Sequence, residues 1–325
     1  MNNNGIDLKK TNRKDACSFL LFVFLLPYVC ACLWGHVGEE TDKLKEAVWK
    51  DGDGYVVGAA VEWGVWELPM EEYLVYRLSL TMPEEYHLEA KKAQAVLLRT
   101  ELAAMYREEE SREVVVDGTG IAKFYKNAGG ETKESLQESR RAVEETEGMI
   151  LTYREEPIRA SYFKVSNGFT REAKESGEED CPYLSKVVCE QDPTSPVYRS
   201  AVRVDKETYT DRILEILEGD FERKTIWEEG DFSFDEAGYM TSVSYCDGNG
   251  EKKEVDGETF RHLFSLNSAS FEMTREEDTL IFHVTGVGHG FGMSQFEADC
   301  RAKNGESYKE ILSDFFFQTE LAKFE

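Results

Sequence analysis

Residues 70–100 read MEEYLVYRLSLTMPEEYHLEAKKAQAVLLRT, two helix-forming runs hinged at a proline. Met70 to Leu80 reads as a helix, which Pro83 ends because the residue before a proline avoids the helical region. A second helix is expected from about Glu84 to Glu109. Along it Ala90, Ala93, Leu97, Thr100 and Ala104 recur at three- and four-residue spacing. That spacing makes a narrow face of small side chains on which a neighbour packs closely.

Outward from this pair, Tyr55 to Trp66 is rich in Val, Ala and Trp and predicts strand. Arg112 to Tyr125 alternates like a strand, and Lys133 to Thr146 reads as an exposed charged helix. From Met149 to Phe163 two strands are expected around a turn at Pro157. Glu172 to Asp180 is an acidic surface loop, and Val204 to Leu217 an amphipathic helix. Strands follow at Met240 to Tyr245 and Thr279 to Thr285. A helix near Met293 to Lys303 is stopped by Asn304 and Gly305. Ser307 with Glu310 forms a capping box for the last helix. Helices and strands mix without regular alternation, so the expected class is α+β.

The chain has 325 residues. Ala16 to Val37 carries no Asp, Glu, Lys or Arg and is long enough to cross a hydrocarbon layer as a helix. Lys9, Lys10, Arg13 and Lys14 precede it against Asp7 and Asp15. By the positive-inside rule residues 1–15 form a cytoplasmic tail, 16–37 a single transmembrane anchor, 38–54 a juxtamembrane linker, and 55–325 an extracytoplasmic domain at the cell membrane. An uncleaved anchor is favoured over a cleaved signal peptide, because bulky Leu33 and Trp34 follow the apolar run instead of a small-residue cleavage site.

The net charge is −26, and the part beyond the apolar run is more acidic still. Such a surface excludes nucleic acid as a partner, since phosphates need basic residues, and it disfavours anionic lipid. Cys181, Cys189, Cys246 and Cys300 show no metal-ligand spacing. A Cys181–Cys189 disulfide and buried free thiols both fit.

The densest signal is residues 285–296, TGVGHGFGMSQF. Gly286, Gly288, Gly290 and Gly292 permit a backbone path closed to other residues and the close approach of a ligand. Phe291 stands where a dinucleotide fingerprint needs its last glycine, and no Gly-Lys-Ser/Thr ending marks a P-loop. His289 either positions a sugar oxygen or serves the turn itself.

Four segments, in order, resemble the stage II sporulation protein D / LytB amidase-enhancer family. They are Glu72-Tyr73 with Met82-Pro83 and Glu89 to Thr100; Ser166 to Thr170; Gly257 to Ser268; and Gly286 to Phe296 with Gly305, Tyr308, Ile311 and Leu312. The resemblance spans Trp66 to Leu321. It implies peptidoglycan glycan strands as ligand, in the setting of forespore engulfment, with a wall amidase and a multi-pass membrane protein as partners. Active members resemble lytic transglycosylases. One carboxyl group protonates the glycosidic oxygen and then, as carboxylate, takes the proton of the muramic 6-hydroxyl as an anhydro ring closes.

The sequence departs at that position: Thr81 stands where the family glutamate would be. Loss of a general acid typically costs on the order of 100- to 10,000-fold in rate. The expectation is therefore a glycan-binding protein with weak or no transglycosylase activity that supports a partner wall hydrolase. The alternative is an active enzyme using Glu84 or Glu85, although acids at a helix start also have a structural role. Tyr76 and Arg77 replace a small Gly-Val pair and reshape the groove floor, while Glu72 packs or caps the first helix. The resemblance nominates Gln94, Arg99, His289, Ser294 and Gln295 for substrate contacts. Polar helix packing for Gln94 and Arg99, and a helix cap for Ser294, are the competing roles. Lys164 and Asn167 give no zinc site, and no cofactor is expected.

Overall fold

The computed structural model describes residues 54–62, 64–122, 132–176 and 181–324. The expected tail, anchor and nearly all of the linker lie outside them. No described helix is long and apolar enough to cross a membrane. Tyr55–Glu325 forms one compact unit of mixed helix and strand.

Strand β1 (Val56–Val61) pairs antiparallel with β2 (Gly64–Pro69), which leads into helix α1 (Met70–Thr81). Helix α2 (Leu88–Glu108) returns to β3 (Glu113–Asp117), which lies parallel to β1. Helix α3 (Thr132–Glu144) packs on α1 and α2. Next come β4 (Met149–Tyr153), β5 (Glu156–Pro157) and β6 (Tyr162–Phe163).

A second core follows. It is built from β7 (Arg199–Asp205), α4 (Lys206–Ile216), α5 (Arg223–Glu228), β8 (Asp231–Phe234), β9 (Met240–Cys246), β10 (Lys252–Asp256), α6 (Gly257–Leu263), β11 (Phe271–Glu276) and β12 (Thr279–Thr285). Its three-stranded sheets run β10-β9-β8 and β11-β12-β7, and they bury Phe260, Phe264, Phe271 and Phe282 against one another. The chain then returns to the first core through β13 (Met293–Ser294), α7 (Gln295–Lys303) and α8 (Tyr308–Phe315). It ends on β14 (Glu320–Lys323), antiparallel to β4.

Helix α2 is the axle of the first core. Its small face, Ala90, Ala93, Leu97 and Thr100, is fully buried, and its N-terminal half meets α7 at Gln94 and α8 at Glu89. It starts at Leu88 rather than Glu84. Pro83 to Tyr86 form a turn closed by Tyr86 N–H to Pro83 C=O (3.2 Å), and His87 caps the helix through Nδ1. Glu84 and Glu85 are exposed in that turn, outside the first helical turn, where Glu89 is the acid instead. The dipole role expected of them is therefore not theirs.

Other boundaries also moved. The 149–163 hairpin turns at Arg154 and Glu155, both at positive φ, while Pro157 lies inside β5. The strand from Arg112 stops at Asp117, whose carboxylate accepts from Thr119 N–H (2.9 Å) and opens a helical turn at 119–122. Val204 and Asp205 end a strand, and Asp205 caps α4. The helix over 132–144 is not wholly exposed, since Ala142 and Val143 are buried. Glu72 does not cap α1 but packs from its first turn against α3, where Arg140 clasps it with two hydrogen bonds of 2.8 and 3.0 Å. Burial would raise its pKa, but the guanidinium outweighs that and lowers it. The Ser307–Glu310 capping box is present. All four described cysteines are free thiols.

Candidate functional site

The glycine-rich segment folds against β6. Met293 and Ser294 pair in parallel with Tyr162 and Phe163, and Val287 bridges Val165. The close approach that its glycines permit is to the protein's own chain. A Cβ on Gly292 (φ +78°) would stand 2.0 Å from the Ser161 carbonyl oxygen, and one on Gly288 (φ +120°) 2.6 Å from Phe163 Cβ.

This packing opens a cleft of about 430 Å³ in which Thr81, Lys164, Arg261, Asn267, His289 and Gln295 meet. Among the described residues no aspartate or glutamate lines it. Lys164 is exposed there. Arg261 is held by Glu258 (2.8 Å), and Asn267 by Ser200 (3.1 Å). A second cavity of about 590 Å³ shares Tyr162 and His289 with the first and adds Glu101, Met105, Glu108 and Arg159. The two form a bent groove with Tyr162 and His289 at the elbow.

Thr81 is the last residue of α1. Its hydroxyl donates back to the carbonyls of Arg77 (2.9 Å) and Leu78 (3.2 Å), so it is committed to its own helix. Behind it Gln295 Nε2 donates both to the Thr81 carbonyl (3.1 Å) and to Gln94 Oε1 (3.0 Å). This amide relay ties the end of α1 to α2 and to the start of α7. Gln94 is fully buried, and its Nε2 has no acceptor among the described residues.

His289 borders both arms, with its ring between Phe163 and Phe291. Its Nδ1 accepts from Phe291 N–H (3.1 Å). Desolvation lowers its pKa against the opposing Glu258 carboxylate and Tyr162 backbone carbonyl. The ring is therefore neutral at neutral pH and braces the turn.

Arg99 and Ser294 sit away from the groove. Arg99 is wholly buried. It makes a two-pronged pair with Glu71 (2.7 and 2.7 Å) and donates to the Met149 carbonyl (3.1 Å). Ser294 is equally buried, caps α7 and donates to Asp192 (2.9 Å). Asp192 also accepts from Ser166 N–H (2.6 Å). Burial pushes its pKa up to about 6, against hydrogen bonds from Ser166 and Ser294 that pull it down. Asn167 spans the Ala237 carbonyl and Ser270 (2.7 and 2.8 Å). Glu84 and Glu85 line neither cavity. Among the described residues no cluster of His, Cys, Asp or Glu is placed to hold a metal ion.

Sequence reasoning did not single out Tyr162 or Glu101. Tyr162 lies in a strand of two residues, and an exposed glutamate on a helix carries no pattern that sets it apart.

The sequence model described as Stage II sporulation protein matches residues 62–153, the stretch that holds α1, Thr81 and α2. Stage II sporulation protein D of Bacillus subtilis (strain 168) is 30% identical over 267 residues, covering 79% of this chain and 75% of the relative. The protein of the same name from Bacillus amyloliquefaciens matches to the same extent. A Bacillus subtilis protein named amidase enhancer is 27% identical over 287 residues, spanning 75% of this chain and 39% of its own length. The chain belongs to the stage II sporulation protein D / amidase-enhancer family.

Proposed function

We propose that the groove seats a peptidoglycan glycan strand and that the protein, held at the cell membrane by residues 16–37 with its folded part outside, supports a partner wall hydrolase. Family membership gives it a sporulation cell-wall role, and one relative is named for enhancing an amidase. The observation that carries the finer reading is the cleft at Thr81. It has polar walls and continues past an aromatic elbow, yet among the described residues no carboxyl group lines the arm at Thr81. An extended polymer fits a groove with two open arms, and proton transfer at position 81 lacks its acid.

Thr81→Glu tests this. A carboxyl group at the C-terminal end of α1 faces the negative end of the helix dipole, which raises its pKa toward that of a working acid. Incubated with purified glycan strands, the variant should form 1,6-anhydro ends at least about tenfold faster than wild type, with unchanged strand binding. Equal product from both proteins would contradict an impaired site. The alternative acids Glu84 and Glu85 gain no support, because both point outside the groove lining.

A further inference from the structure

The sheet β2-β1-β3 is covered on one side only. Its inward side chains, Val57, Ala59, Leu68 and Val114, are buried in the first core. Side chains alternate between the two faces of a strand, so the pairing register puts Val65 of β2, Gly58 of β1 and Val115 of β3 in one outward row. None of these three joins either core. Val65 and Val115 are 54% and 62% exposed. A Cβ on Gly58 would stand 2.9 Å from Val65 Cγ1 and 3.3 Å from Val115 Cγ2. The two valines therefore lean over the glycine and form one apolar ridge, extended along β1 by Val56 and Ala60.

The strand sequences are those of a sheet covered on both faces. Strand β1 reads VVGAAV and β3 carries VVV between its terminal acids, and the two run parallel. Strands with parallel neighbours have such continuous apolar runs when both faces are buried, whereas a sheet with one wet face alternates apolar and polar. Exposed apolar residues scattered singly need no explanation, but a contiguous set rimmed by polar groups marks a contact surface. The rim here has one sign. Glu67, Glu113 and Asp117 border the ridge, and no outward position of the three strands holds Lys or Arg. Glu67 and Glu113 make no ion pair with a described residue, and the Asp117 carboxylate accepts from Thr119 N–H. A second copy docked face to face would bring this rim against itself, and an anionic lipid surface would be repelled in the same way. The complementary cover is apolar with cationic flanks.

We infer that the outer face of β2-β1-β3 docks an amphipathic helix of the partner wall hydrolase, its apolar stripe on the Val65–Val115 ridge and its flanking Lys and Arg side chains on Glu67, Glu113 and Asp117. A helix with one apolar stripe is the usual cover for an open sheet face. The inference rests on the reading that the protein supports such a hydrolase. None of the ridge or rim residues lines either arm of the groove, so the hydrolase docks while the groove stays open.

The test uses the full chain in detergent with a purified Bacillus subtilis wall amidase, the class of enzyme that one relative is named for enhancing. Affinity and the rate of peptide release from purified walls are measured for wild type, Val115→Asp, Glu113→Lys and Phe317→Ala, an exposed aromatic elsewhere. Urea unfolding confirms that each variant is folded. Wild type and Phe317→Ala should bind and stimulate alike. Val115→Asp, which buries an unpaired charge under the docked helix, should weaken binding at least about tenfold and lose the stimulation. Glu113→Lys leaves the ridge intact, so it keeps the test valid if Val115→Asp fails to fold. It should weaken binding about two- to fivefold at low salt, a difference that high salt erases. A photo-crosslinking phenylalanine analogue in place of Val115 should attach to the amidase. Undiminished binding by Val115→Asp and Glu113→Lys, or a crosslink to a second copy or within the chain, would overturn the docking face and leave the supporting role intact. An amidase that wild type neither binds nor stimulates would overturn both.

Discussion

Thr81 and Asp192 show how single side chains are spent in this protein. The Thr81 hydroxyl closes on its own helix carbonyls, so even a deprotonating neighbour would find it engaged. Asp192 does the opposite and holds a titratable group where water cannot reach it. Its pKa of about 6 lies above the ordinary 3.8. Between these values the folded state carries a proton that the unfolded chain lacks. The stability from this group is therefore present at low pH and lost as pH rises through about 6. The full swing is of order 3 kcal/mol. Asp192→Asn removes the charge and keeps an acceptor for Ser166 N–H, while Ser294 Oγ can turn to donate to the Lys164 carbonyl (3.5 Å). Urea unfolding at pH 4 and pH 7 should show the variant gaining about 2 kcal/mol on wild type over that interval, since part of the swing lies below pH 4. An identical pH dependence for the two would contradict the buried-charge account.

Among the elements, α2 and the glycine-rich turn carry the site, and both were legible for physical reasons. The small-residue face of α2 obeys helical period, because a helix in the centre of a core must admit neighbours closely. The alternate glycines mark a backbone that runs at positive φ against β6. What the sequence hid was the use of polar residues behind the cleft. Gln94 and Arg99 share a helix with the groove-lining Glu101, and only the packing shows that the first two point into the core. The short strands β8, β10 and β11 were missed because most of their residues are exposed and break apolar alternation. Arg99→Ala would strand Glu71 and three core contacts, at a cost of about 3 kcal/mol in chemical unfolding; a loss under about 1 kcal/mol would contradict its structural role. Gly292→Ala combines a left-handed backbone with a contact of 2.0 Å to the Ser161 carbonyl. It should cost at least about 2 kcal/mol and unseat Gln295, with Thr81→Glu then losing its gain in product; a silent Gly292→Ala would refute the tight packing.

For the molecule as a whole, two hydrophobic cores frame one groove. The first supplies α1 and α2, the second supplies Arg261 and Asn267 of the opposite wall, and the glycine-rich turn between β12 and α7 closes the floor. An overall charge of −26 makes Lys164, Arg261 and Arg159 in the groove a local exception, a neutral-to-positive path on an acidic body. The most direct test is equilibrium binding of the full chain to peptide-free glycan strands, comparing wild type with Tyr162→Ala at the elbow and Phe317→Ala, an exposed aromatic outside the groove. The structure predicts that wild type and Phe317→Ala bind alike and that Tyr162→Ala weakens binding about tenfold or more, the loss of one central aromatic contact. Strands that fail to bind wild type, or bind Tyr162→Ala equally well, would contradict a glycan site in this groove.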